Sequence, residues 1–297
     1  MSEKRKAAVL GGFVADALSL GVHWVYNTRV IDKKLGKVDR FFDPMTSYHE
    51  GKIAGDFTHY GDQMLVLLEA VNPKGSFDSL RFAESWKQFC TSYDGYFDKA
   101  TKATLDKMES GTALTESGSD SDDLAGASRL SVLTAAYGDD AEKFAAAAKA
   151  QTAITHNNKE VILCADYFAR CICTVLGGAS PLSAVESTLQ ENDGYGPISD
   201  FIHSGLISRG RETRETIAEF GQMCSVEAGL PSTIHLIARY ENDFETAMVE
   251  NVMAGGDSSA RGILAGAVLA AAHGIEAIPT IWISGLRKRD RIMALLG

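Results

Sequence analysis

Proline is scarce, with 6 in 297 residues, and no Ser/Gly/Pro-rich stretch interrupts the chain. Nothing therefore marks a linker, and a single domain spanning 1–297 is expected. Cysteine is scarce too. Cys90, Cys164, Cys171, Cys173 and Cys224 are odd in number and irregularly spaced, with no Cys-x-x-Cys. That excludes a disulfide scaffold and points to free thiols in a reducing compartment. No Asn-x-Ser/Thr acceptor occurs either, so a cytoplasmic location is expected. Positive charge is in deficit: 29 Lys and Arg face 39 Asp and Glu, for a net charge of −10. A general nucleic-acid binder needs a basic footprint and is excluded, whereas a local pocket for a nucleotide-like ligand is not. Long apolar runs are missing. The longest, Gly262–Ala272, is stopped by His273, Glu276 and Pro279, well short of the roughly 20 residues of a membrane span. It reads as a buried core helix. The opening Lys4-Arg5-Lys6 before Ala7–Ala15 has the order of a signal peptide, but Asp16 interrupts it without a convincing cleavage site, and a first helix is expected instead.

Alternating β-branched runs, the mark of strands, are nearly absent. Helix-length apolar patterns cover Lys6–Val22, Gln63–Val71, Phe77–Tyr93, Phe97–Met108, Ala125–Ala136, Asp140–Thr155, Lys159–Leu176, Pro181–Gln190, Ile198–Gly205, Glu212–Phe220, Leu230–Tyr240, Phe244–Met253, Ser259–His273 and Pro279–Leu286. The expected fold is all-α, a multi-helix bundle.

The polar breaks between these helices carry the candidate site. Gly12, Asp16, Ser19 and His23 fall at i, i+4, i+7 and i+11, one face of a first helix. They line a pocket or satisfy buried neighbours; spacing does not choose. Trp24 and Tyr26 follow and offer a stacking surface, although aromatics at a helix end also serve a core. Gly55-Asp56-Phe57-Thr58-His59-Tyr60-Gly61-Asp62-Gln63 leads into an apolar helix, whose free N–H groups suit an anion or polar ligand. A cap explains Thr58 or Asp62 but not the density of polar groups. Gly255-Gly256-Asp257-Ser258-Ser259-Ala260-Arg261 enters the buried helix; paired glycines permit positive φ or close approach, and Asp257 or Ser258 also reads as a plain cap. In Ser119–Arg129 the acidic residues Asp120, Asp122 and Asp123 suit a solvated loop. Arg129, after Gly126 in an apolar turn, suits phosphate recognition.

Taken in order, these stretches resemble the ADP-ribosylglycohydrolase superfamily over nearly the whole chain. Ala15-Asp16-Ala17-Leu18 is similar to the family's Gly-Asp-Ala-Leu-Gly. Thr155-His156-Asn157, Ser225-Val226, Asp243-Phe244-x-x-Ala247, Gly255-Gly256-Asp257 and Gly274–Pro279 followed by Trp282 continue the series. The resemblance implies an all-α fold, a pocket for ADP-ribose and, in active members, two magnesium ions. The chain departs from the metal motifs. His59, Tyr60, Gly61 and Asp62 stand where the family has Thr-Asp-Asp-Thr. Gly255-Gly256-Asp257-Ser258-Ser259-Ala260 stands for Gly-Gly-Asp-x-Asp-Thr/Ser, and His23 replaces a glutamate. Of four metal-binding carboxylates only Asp257 remains, so no cofactor is expected: magnesium needs hard oxygen ligands. Asp56, Asp62, Asp122 and Asp123 are the carboxylates left to compensate.

Three readings follow. One is a hydrolase of ADP-ribosyl or related N- or O-glycosidic bonds by an altered-metal or metal-free route. It would use Asp62 or Asp257 as base and His23 or His59 toward the leaving group, with Arg129 and the helix start after Gly256 on the pyrophosphate. Ligand contacts would come from Asp16, Asp56, Thr58, Tyr60, Gly61, Gln63, Asp123, Gly126, Gly255, Gly256, Ser258 and Ser259. The second is a non-hydrolysing module for ADP-ribose, a related nucleotide or an ADP-ribosylated protein. The third is a structural protein like the jellyfish J-type crystallins, built on the same fold.

Overall fold

The computed structural model describes residues 1–71 and 76–297. Helices run in the order α1 (Glu3–Leu20), α2 (Thr28–Leu35), α3 (His59–Ala70), α4 (Ser79–Ser92), α5 (Lys99–Glu109), α6 (Ala125–Ser128), α7 (Thr134–Tyr137), α8 (Ala141–Thr155), α9 (Lys159–Leu176), α10 (Pro181–Gln190), α11 (Gly196–Ile207), α12 (Thr213–Phe220), α13 (Val226–Arg239), α14 (Phe244–Met253), α15 (Ser258–His273), α16 (Thr280–Gly285) and α17 (Arg289–Leu296). Among the described residues there is no strand, only isolated backbone bridges. The all-α expectation holds.

Two helices form the axis. α1 is buried from Ala7 onward and α15 from its first residue to Ala271, including the polar Asp16, Ser19, Ser258, Ser259 and Arg261. They cross where a Cβ on Gly11 would overlap the carbonyl of Gly266, and one on Gly266 that of Gly11. Only glycine allows the backbones this close. The remaining helices pack around this pair, with α8 against α9 and α11 against α13.

Helix starts follow their caps. The Asp98, Asp140, Asn158 and Asp243 side chains each accept a first-turn N–H, which satisfies a donor the helix itself cannot. α3 begins at His59 behind the Thr58 cap, four residues before the apolar pattern starts at Gln63. The expected helix Ala125–Ala136 is broken: α6 and α7 flank a 3-10 stretch, Arg129–Leu133. The pattern-based reading also misses α2 and α17. Each is only eight residues long, with only Ile31 buried in one and Ile292 and Leu296 in the other.

Candidate functional site

Three helix entries meet beside the end of α1. The chain leaves α1 at Leu20, so His23 is not on the helical face with Asp16 and Ser19, as its spacing suggested; it lies in the turn that follows. Trp24 then takes a positive φ of 61°, uncommon for a bulky side chain. The reversal lets Trp24 N–H donate to the Gly256 carbonyl at 2.9 Å and Gly256 N–H to the Val25 carbonyl at 3.0 Å. Gly255 and Gly256 have φ of 69° and 67°, so the paired glycines serve close backbone approach. Gly255 also accepts from Arg261 through its carbonyl at 2.6 Å. This bridge sets His23 beside Asp257, the cap of α15. A second bridge pairs Asp123 with Ser225 and brings Asp123 to Cys224.

Asp16 is the knot between α1, α3 and α15. Its carboxylate accepts from Thr58 N at 2.9 Å, Thr58 Oγ1 at 2.6 Å and Ser259 Oγ at 2.5 Å. Burial raises its pKa to about 6, opposed by the Ser259 and Thr58 hydrogen bonds. A Cβ on Gly61 would overlap Asp16 Oδ2. Asp16, Thr58, Gly61 and Ser259 are thus packed together as the frame beneath the site. Ser258 is buried and its hydroxyl has no partner among the described residues.

Above the frame two carboxylates face each other. Tyr60 Oη lies 3.3 Å from Asp123 Oδ2 and 3.4 Å from Asp257 Oδ2. Asp123, Cys224 and Asp257 each place a ligand-capable atom within 4.8 Å of the others. Burial, and then the field of Asp257, raises Asp123 well above the usual carboxylate range. Burial also raises Asp257, against the pull of the Arg261 guanidinium. Like charges this close do not both ionise readily, so the pair tends to hold one proton.

Asp123 opens onto a cavity of about 470 Å³ walled by Trp24, Tyr26, Tyr48 and Tyr96, with Asp98, Lys99, Asp122 and Cys224 also on its lining. Trp24 stands edge-on to Tyr48 at 4.8 Å and to Tyr96 at 5.3 Å between ring centroids. Behind Trp24 lie three buried imidazoles, His23, His49 and His59.

Several expected site residues lie elsewhere. Asp62 is turned from the cavity and bound to Lys52 Nζ at 2.5 Å and Tyr93 Oη at 2.7 Å; a carboxylate held this way is poorly placed as a base. Asp56 accepts from Ile53 N–H and pairs with Arg287. Arg129 does not reach the cavity for a pyrophosphate. It is buried against Gln151, Gln63 and Thr155, with Gln63 also accepting from Trp86 at 2.7 Å. Gly126 is pressed against the His156 ring. The sequence reading passes over Tyr48, His49, Tyr96 and Cys224 as site residues, which lie outside the longer helices and have no period to mark them, and takes Asp98 only as part of a helix, which it caps.

The ADP-ribosylglycohydrolase family model matches residues 1–297. The chain belongs to the ADP-ribosylglycohydrolase family. Crystallin J1A of Tripedalia cystophora is 24% identical, over 98% of this chain and 94% of that protein. An uncharacterized protein of Archaeoglobus fulgidus is 27% identical, over 98% and 93%. A solved structure, an ADP-ribosylglycohydrolase-related protein complex, shares the fold with a TM-score of 0.73 at 21% identity, covering 99% of this chain and 95% of its own.

The family resemblance implies magnesium, and the donor set does not fit a two-ion magnesium centre. At the matching positions Tyr60 offers a phenol held neutral by burial, Gly61 offers no side chain, and Asp62 is tied to Lys52. Only Asp257 supplies a hard anionic oxygen there.

Proposed function

We propose that this family member hydrolyses the glycosidic bond of an ADP-ribosyl or related ribosyl group, with Asp123 and Asp257 as its acid–base pair. The observation that carries the reading is this carboxylate pair, bridged by Tyr60 Oη at 3.3 and 3.4 Å, with Asp123 on the wall of an aromatic cavity and Asp257 buried behind it. A carboxyl pair that shares one proton can give it to a leaving group and take one back from water. Here Asp123 faces the cavity, where the scissile bond would lie; Asp257 lies behind it and shares its proton. The C1–N or C1–O bond breaks, the carboxyl proton goes to the leaving atom, and a water oxygen bonds to C1 while its proton returns to the pair. The rings of Trp24, Tyr48 and Tyr96 give flat faces for a base or aglycone. Asp98, Asp122 and Asp123 against the single cation Lys99 favour a neutral or cationic aglycone at the cavity wall over an anionic group.

The binding-only alternative rests on a different observation: at the positions matching the family's metal motifs the metal-binding carboxylates other than Asp257 are gone, with Asp62 tied to Lys52. The two readings separate by assay. Release of free ADP-ribose or ribose from N- and O-linked conjugates by the wild type, lost in Asp123→Asn while ligand affinity is kept, supports hydrolysis. Saturable ADP-ribose binding with no release from any conjugate sinks hydrolysis and favours the binding module.

A further inference from the structure

We infer that His23, His49 and His59 form a binding site for one first-row transition-metal dication of the zinc type, different in donor chemistry from a carboxylate magnesium centre. The inference does not depend on the hydrolase reading.

The three side chains come from three separate segments: the turn after α1, the 3-10 turn Ser47–His49 and the first residue of α3. The fold brings them together. Their ring centroids are 5.3 Å (His23–His49), 5.5 Å (His49–His59) and 6.0 Å (His23–His59) apart. One nitrogen of each lies within 4.8 Å of the others. The exposures are 0%, 1% and 0%. Apart from His59 Nε2 beside Asp98 Oδ2, no ring nitrogen of the three has a hydrogen-bond partner among the described residues. A buried polar group without a partner is destabilising, and three imidazoles sharing one such pocket call for a common partner.

The chemistry of that partner is constrained. Imidazole nitrogen suits zinc, copper, nickel and iron, while magnesium and calcium prefer oxygen. Two of the rings also have a carboxylate beside one nitrogen. His59 Nε2 is 3.2 Å from Asp98 Oδ2, and His23 Nδ1 is 3.7 Å from Asp257 Oδ1. Each of these rings keeps its second nitrogen free of a carboxylate. Carboxylate–imidazole pairs of this kind orient metal-bound histidines and raise their basicity. Three protein ligands leave one position for water or another small donor.

The test uses the full-length protein, stripped with a chelator and titrated with Co²⁺, followed by visible absorption and by Zn²⁺ displacement. The expected result is one equivalent bound per chain, with a four-coordinate Co²⁺ spectrum and no thiolate charge-transfer band. His49→Gln should weaken binding by more than about 100-fold, and Asp98→Asn by about 10- to 100-fold, with circular dichroism confirming the fold. Should His49→Gln fail to fold, the wild-type spectrum decides. A thiolate band would place the ion at Asp123, Cys224 and Asp257 and overturn the assignment. Absence of saturable binding, or binding unchanged in a folded His49→Gln, would overturn it as well.

Discussion

Gly61 and Asp16 show how tightly the frame under the site is set. Asp16 is wholly buried and fixed by three hydrogen bonds, so it has nowhere to move when a methyl group is added opposite it. Gly61→Ala should therefore destabilise the protein by about 1–3 kcal/mol or more, read as a lower midpoint in urea; an unchanged midpoint would show that the helix start yields freely. Asp16→Asn should cost a similar amount. The amide keeps one acceptor and turns its NH₂ toward groups that already donate, at about 1–3 kcal/mol for an unmet buried partner. Equal stability of Asp16→Asn and wild type would contradict this. Asp16, Thr58 and Ser259 were each legible as candidates in the sequence. Their bonding to one another was not, since they lie on three segments whose relative placement spacing cannot give. His49 and Tyr96 were silent for a related reason: a loop residue has no period to betray its direction.

At the scale of helices most of the architecture was readable, because burial imposes a period on helices such as α8, α9 and α14. The misses follow from the same physics. α2 and α17 are each eight residues long and bury one and two side chains, too short for a periodic pattern to repeat. The α1–α15 crossing predicts that Gly266→Val cannot be absorbed, because the obstacle is the Gly11 backbone rather than a flexible side chain. A loss of about 1–3 kcal/mol or more is expected by thermal denaturation, and a wild-type melting curve would rule out the close crossing. α13 carries a pH-sensitive tie. His235 lies between Ser208 Oγ at 2.8 Å and Thr213 Oγ1 at 3.0 Å. Burial, then the charge of Arg239, lowers its pKa from 6.5 to about 4. Between those values the unfolded chain takes a proton that the native chain refuses, so stability falls as pH drops from about 6.5 toward 4 and levels off below. His235→Gln should make stability less steep in pH over that window, by up to one proton. An identical slope would show that His235 titrates alike in both states.

Across the whole molecule, three features converge at the end of α1: the carboxylate pair, the aromatic cavity and the histidine cluster. The family and the all-α fold were legible in the order of the motifs. The catalytic assignment was not. Sequence reasoning put Asp62 forward as a base, but its distance from the cavity depends on α3 beginning at His59, which turns Asp62 toward Lys52 and Tyr93. Asp123 sat in an acidic run that resembles a solvated loop, and only its bridge to Ser225 draws it into the site. The account therefore rests on Asp123. The most direct test compares wild type and Asp123→Asn for release of free ADP-ribose or ribose from N- and O-linked conjugates, alongside their affinity for ADP-ribose. The account predicts release by the wild type, a loss of about 10²- to 10⁴-fold in the variant and affinity kept within a few-fold. Wild-type release that Asp123→Asn leaves unchanged, or no release from any conjugate, would contradict it.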